Sequence, residues 1–167
     1  MSRAFVREDD DGDSAGGLPE RAIPPHPNYV TARGLAQLQT RVRDLAARCE
    51  ALKLAADDAN AHSELRAAER DLRYCRAQLE RAELVVAALR DDEVHFGARV
   101  TFRGADGVER CVRLVGDDEA DAPAGDISWA SPLARALIGA RVGDSTTWQR
   151  PDGATEIEIL AFTYDPI

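Results

Sequence analysis

Residues 35–56 read LAQLQTRVRDLAARCEALKLAA, and residues 65–89 read LRAAERDLRYCRAQLERAELVVAAL. In the first stretch Leu35, Leu38, Val42, Leu45, Cys49, Leu52 and Ala56 recur at alternating steps of three and four. In the second, Leu65, Ala68, Leu72, Cys75, Leu79, Ala82, Val86 and Leu89 do the same. That alternation is the apolar seam of a coiled coil, with Arg and Glu filling most of the outward positions. Reflecting the chain about the Asp58–Ala59 bond carries Leu35 onto Ala82, Leu38 onto Leu79, Val42 onto Cys75, Leu45 onto Leu72, Cys49 onto Ala68 and Leu52 onto Leu65. Layers of this kind form when two helices run antiparallel. The pattern predicts a chain that doubles back on itself, with a tight turn near Asp57, Asp58, Ala59 and Asn60, residue types whose side chains bond nearby backbone in turns. Arms of about 27 residues would be about 40 Å long. The plain alternative is a coiled coil that only oligomerises or spaces domains, with the two aspartates as turn formers.

Outward from this hairpin the composition changes. Residues 1–27 hold Glu8, Asp9, Asp10, Asp11 and Asp13, then Ser14 to Gly17, then Pro24, Pro25 and Pro27. Such a segment buries too little apolar surface to offset chain entropy, so it is expected to be a mobile tail. Ala4, Phe5 and Val6 could dock on a partner.

On the other side, residues 97–103 and 108–115 alternate in polarity about Ala105-Asp106-Gly107 and predict a β-hairpin. The loop from Gly116 to Gly125 carries Asp117, Asp118, Glu119 and Asp121. It could hold a hard cation, but it lacks the ligand spacing of a calcium loop, so a solvated loop is expected. Ser131 suits a helix cap, Pro132 the first helical turn and Gly139 the far end. Strands near Ser145 to Arg150 and Ala154 to Phe162 complete four strands and one short helix, an α+β domain. The domain boundaries expected are 1–27 for the tail, 28–92 for the hairpin with its tip at 57–61, and 93–167 for the β-rich domain.

The net charge of -9 disfavours a nucleic-acid surface as the main activity. Three cysteines, Cys49, Cys75 and Cys111, are poor material for a disulfide framework or a zinc site. No apolar run approaches the roughly 20 residues needed to cross a bilayer, and no signal peptide is expected at the start. A cytoplasmic location with no membrane partner follows as the expectation. No P-loop, nucleophile elbow or Rossmann fingerprint occurs. His26, His62 and His95 stand singly, and His95 is expected at the entry to a strand.

Several segments carry a family resemblance. They are His95 to Val100, Val112 to Asp121, Ile127-Ser128, Ser131-Pro132-Leu133-Ala134-Arg135-Ala136-Leu137 and Val142-Gly143-Asp144. Tyr29-Val30-Thr31 followed by Gly34 and Leu38 adds to them. Over Asn28 to Tyr164 the chain resembles the GreA/GreB transcription elongation factors, in particular their GreB-like members. The resemblance implies an N-terminal antiparallel coiled-coil hairpin followed by a small FKBP-like domain. It also implies binding to bacterial RNA polymerase, with the hairpin entering the secondary channel and acting indirectly on the nascent RNA 3' end. Tip carboxylates would then help the polymerase cleave backtracked RNA through Mg2+ shared with it. The segment Ser131 to Leu137 matches the family's docking element, so Ser131, Pro132, Leu133, Ala134 and Arg135 are the docking candidates. The protein would be a monomeric accessory factor and not an enzyme, with no metal of its own.

The tip departs from the family pattern. Where the family reads roughly Gly-Asp-x-x-Glu-Asn-Ala-Glu-Tyr, this chain keeps the aspartate as Asp58 and the later acid as Glu64, but has Ala61 and His62 in place of the glutamate and asparagine. The metal-assisting candidates are Asp58 and Asp57, with Glu64 as a further tip carboxylate. Asp57 could replace the missing ligand, and His62 is a poor one for Mg2+. Otherwise cleavage is lost and the protein acts as a non-cleaving inhibitor or regulator of transcription. A prolyl isomerase and a pure coiled-coil scaffold are the remaining rivals. The first needs an aromatic-lined cleft, whereas Phe96, Phe102, Trp129, Trp148, Phe162 and Tyr164 look committed to core or hairpin faces.

Overall fold

The computed structural model describes residues 18–55, 59–86 and 92–164. Strand β1 (Asn28–Val30) leads into helix α1 (Ala32–Leu54), and helix α2 (Ala59–Glu80) returns to strand β2 (Ala82–Leu84). Thr31 starts α1 as its cap, its Oγ1 accepting from Gly34 N at 2.9 Å. The two helices pack along the expected seam. Leu38 and Cys75 cluster with Val42 and Leu79, while Cys49, Ala68 and Leu72 cluster with Leu45, Leu52 and Leu65. Each cluster draws on both arms, so the apolar stripes close on each other within one chain.

The second arm is shorter than its heptads suggest. Helix α2 ends at Glu80, and Ala82, expected as the seam partner of Leu35, lies in β2 instead. Val86 lies beyond β2, outside any helix. β2 pairs in parallel with β1, Asn28 opposite Ala82 and Val30 opposite Leu84, and Val85 N donates to Val30 O at 3.0 Å. The β-branched pair Val85-Val86 disfavours more helix, and a backbone ladder with β1 outweighs one further apolar layer. The helices are 23 and 22 residues long, or about 34 Å each, not 40 Å. Of the four expected turn residues, Ala59 and Asn60 open α2, and Asp57 and Asp58 lie outside the described residues.

The second module is a five-stranded sheet in the order β5-β4-β3-β7-β6. Its strands are β3 (Ala98–Gly104), β4 (Glu109–Val115), β5 (Asp126–Ser128), β6 (Ser145–Arg150) and β7 (Gly153–Tyr164), with helix α3 (Pro132–Leu137) between β5 and β6. β3, β4, β6 and β7 pair antiparallel, and β5 adds in parallel to β4. The turn between β3 and β4 places Gly107 at φ +74, where a side chain would be strained. Ala98, Val100 and Phe102 of β3, Leu114 of β4, and Ile157 and Ile159 of β7 face inward and are covered by Ala134 and Leu137 of α3. β5 is one strand more than the four expected. At three residues it is too short to show alternation, and it follows a loop rich in acidic residues.

Residues 18–27 form no helix or strand, but Glu20, Arg21 and His26 touch the rest of the chain. Residues 1–17 lie outside the described part. Among the described residues, no helix is long and apolar enough to cross a membrane.

Candidate functional site

At the end of the helical finger α1 closes at Ala55 and α2 opens at Ala59, and the expected aspartates lie outside the described residues. Ala61 is 7% exposed, and His62 points into solvent. Glu64 accepts from Arg48 Nη2 of the opposite arm at 3.0 Å. Both side chains are more than half exposed, so the pair braces the arms by well under about 1 kcal/mol. Leu54, at 90% exposure, is the most exposed of the large apolar residues among those described. It lies off the seam, and an apolar residue out of heptad register is the sequence signal that marks it.

The docking candidates divide into buried and open positions. Ser131 Oγ caps α3 by accepting from Ala134 N at 3.2 Å. Ala134 is fully buried, and Leu133 is half-buried against the core. Pro132 and Arg135 are exposed. The motif therefore builds the short helix with Ser131, Leu133 and Ala134 and offers Pro132 and Arg135 outward.

Between finger and sheet lies the acidic loop, and here the structure corrects the expectation of a solvated loop. Its first residues form a 3-10 turn, Asp117–Glu119, and all three acids bind other segments. Asp117 lies 3.3 Å from His26 Nε2 and accepts from Ser128 Oγ. Asp118 accepts from Tyr74 OH and Gln78 Nε2, each at 3.0 Å, both on α2. Glu119 is buried and accepts from Thr31 Oγ1 and Arg33 Nε, each at 2.7 Å. Arg33 also donates from Nη2 to Asp126 at 2.7 Å, and Asp126 takes two further bonds from Arg113, at 2.9 and 2.8 Å. One guanidinium thus joins the foot of α1 to the loop and to β5.

Backbones approach closely at this joint. A Cβ on Gly116 would stand 2.5 Å from the Tyr29 carbonyl oxygen. Trp129 covers the joint, with ring centroids 4.8 Å from Tyr29 and 5.4 Å from His26. Hydrogen bonds from Arg113 and, after the opposing effect of burial, from Arg33 hold the Asp126 carboxyl down at about 2. Burial first, then the charge of Asp118, pushes the Tyr74 phenol up to about 12. These carboxylates are matched by donors, so the joint is a clamp that orients the finger. The partners that the finger supplies, Thr31, Arg33, Tyr74 and Gln78, lie 40 to 93 residues from the acids they bind, and no local signal in the sequence points to them. No group of three His, Cys, Asp or Glu side chains suited to a metal occurs among the described residues.

Residues 89–164 match the family model for the C-terminal part of transcription elongation factor GreA/GreB. The chain is 45% identical over 102 residues to transcription elongation factor GreB of Neisseria meningitidis serogroup A, covering 60% of this chain and 63% of that protein. It is 39% identical over 111 residues to GreA of Rhizobium leguminosarum bv. trifolii, covering 66% of this chain and 68% of the relative. A solved GreA/GreB structure from Nitrosomonas europaea overlays with a TM-score of 0.40 at 22% identity, over 83% of this chain and 99% of that one. The chain belongs to the GreA/GreB family. It spans less than two thirds of the length of the meningococcal relative.

Proposed function

We propose that this protein is an accessory factor of bacterial transcription elongation that binds RNA polymerase and passes its helical finger into the secondary channel. The observation that carries the reading is the stiff finger of about 34 Å, clamped at its foot by Arg33, Glu119 and Asp126, with Asp57 and Asp58 in the stretch joining its helices at the other end. The clamp sets the direction of the finger, and α3 offers Pro132 and Arg135 for docking on the channel rim. Because the seams of α1 and α2 close within one chain, the factor acts as a monomer. It works in the cytoplasm, where the polymerase is.

In this reading Asp58, with Asp57 beside it, completes the shell of a Mg2+ ion shared with the polymerase. Magnesium is held by one or two carboxylates with water and phosphate oxygens, which suits this pair better than a closed protein cage. Bound there, the ion would activate the attacking water and stabilise the leaving oxygen at the RNA 3' end. The chain supplies reach, orientation and negative charge, and the polymerase supplies the rest of the chemistry.

A second reading is favoured by Ala61. The position where the family carries a second carboxylate is here a methyl group, 7% exposed. A finger without that ligand would occupy the channel and regulate transcription without cleaving.

The deciding experiment is a transcript-cleavage assay on stalled RNA polymerase with the wild-type protein and Asp58→Ala. Shortened RNA with the wild type alone supports cleavage. Slowed transcription by both, with no cleavage, supports the regulator. No affinity of the wild type for the polymerase refutes both readings.

A further inference from the structure

The segment before β1 follows a definite course. Arg81 Nη2 donates to the carbonyl of His26 at 2.7 Å. Further back, the Arg21 guanidinium lies 3.8 Å above the Tyr74 ring centroid and 3.8 Å from Asp71, and Glu20 pairs with Arg73. As the residue number falls from 26 to 20, the partner moves from Arg81, just past the end of α2, to residues in the low seventies on that helix. The segment runs parallel to α2, and followed backwards it heads toward the finger's end.

Ahead on the same helix lie Arg70 and Arg66, three and seven residues before Arg73. At that spacing the three arginines form one stripe on the outer side of α2. Arg66 is exposed, and Arg70 reaches sideways to Asp71 at 3.0 Å. The finger is also the basic part of an acidic chain. Its two helices hold nine Lys and Arg against six Asp and Glu, while the whole sequence has a net charge of -9.

We propose that the acidic segment Glu8–Asp13 docks in cis along the Arg66–Arg70 stripe, extending the path that Glu20 and Arg21 already take and covering the outer flank of the finger. The lengths agree. From Arg73 to Arg66 the helix rises about 10 Å, and the seven residues from Glu20 back to Asp13 span up to about 23 Å when extended. Ser14, Ala15, Gly16 and Gly17 lie between and leave the backbone free to adjust. Each exposed pair is weak by itself, but tethering raises the local concentration of the five carboxylates to about the millimolar range. The contact is thus sensitive to salt and competes with any polyanion that approaches this flank.

The test uses the full chain in solution. A nitroxide is attached at Ser14→Cys in a Cys111→Ser background, since Cys49 and Cys75 are buried, and amide signals are read by NMR. At low salt, signals from residues 63–70 should be lost to broadening. They should return at about 0.5 M NaCl, where screening reaches only a few Å, and also in Arg66→Glu/Arg70→Glu. If that double variant does not fold, Asp9→Asn/Asp10→Asn/Asp11→Asn, changed outside the helices, should restore the signals equally. Broadening that is absent at low salt overturns the proposal. So does broadening that survives charge removal, or that appears only between a spin-labelled chain and a separate isotope-labelled one. The measurement needs no polymerase, so its outcome is independent of the proposed function.

Discussion

Gly34 lies directly beneath the carboxylate of Glu119: a Cβ on Gly34 would stand 2.5 Å from Glu119 Oε2. The first turn of α1 can approach the loop this closely only without a side chain there. Alanine normally improves a helix interior over glycine by about 1 kcal/mol. Here Gly34→Ala should instead lower stability by about 1–2 kcal/mol, because Glu119 must leave Thr31 and Arg33. Urea unfolding measures this, and Glu119→Ala in the same chain should remove the difference between Gly and Ala at position 34. A raised urea midpoint for Gly34→Ala alone would refute the contact.

Replacing Arg33 by Met keeps its aliphatic stem and removes the bridge. Glu119 would keep only its bond from Thr31, while Asp126 would still be held by Arg113. A fully buried pair broken on one side costs about 3–5 kcal/mol. Arg33 is 45% exposed, so a loss of about 2 kcal/mol is expected after allowing for solvent screening. Distances between spin labels on α1 and on β7 should also spread, as the finger loses its fixed direction. An unchanged distance distribution would show that the clamp does not orient it.

Asp126 sets an acid limit. Its folded value of about 2 lies below the ordinary 3.8, so the folded state holds fewer protons here than the unfolded chain over that interval. The stabilisation is complete above pH 4 to 5 and is lost as pH falls through 4 toward 2, by about 2 kcal/mol in all. In Asp126→Asn this part of the acid dependence should vanish. Equal pH slopes for the two proteins would contradict the assignment.

Arg135 and Ser131 should behave differently when changed. Arg135→Glu alters an exposed side chain, so stability should move by less than about 0.5 kcal/mol while affinity for RNA polymerase falls. Ser131→Ala removes a helix cap and should cost about 1 kcal/mol of stability in the protein by itself. Wild-type affinity in Arg135→Glu would exclude the outward side of α3 as a contact.

Ala61→Glu restores a carboxylate where the family pattern has one. If a missing ligand is what limits cleavage, RNA shortening on stalled polymerase should rise at least about tenfold, still below the usual contribution of an optimised catalytic group. No rise, with binding intact, would favour the regulator reading.

The seam clusters of Leu38, Val42, Cys75 and Leu79 and of Leu45, Cys49, Leu52, Leu65, Ala68 and Leu72 could be read from sequence because helical periodicity is a local property, and reflection symmetry brings the two arms together. The Ser131 cap was legible for the same reason. Ala82 and Val86 keep the heptad spacing yet lie outside the helix, since β1 offers the backbone from Ala82 to Val85 a partner that periodicity does not encode. Asp117, Asp118 and Glu119 looked like a solvated charge run because Tyr74, Gln78 and Arg33, which bind them, are distant in the chain. β5 is too short to show alternation, and Leu54 falls off the heptad, where periodicity does not fix exposure.

The ladder between β1 and β2 gives the finger its axial stiffness. Each helix joins its strand with almost no slack, so sliding α1 past α2 by one heptad, about 10 Å, would tear Asn28 from Ala82 and Val30 from Leu84. Thrust along the finger is therefore carried by backbone bonds at its root as well as by side-chain packing. The two rails behave as a strut of set length, and its reach can be changed only by adding or deleting matched turns in both.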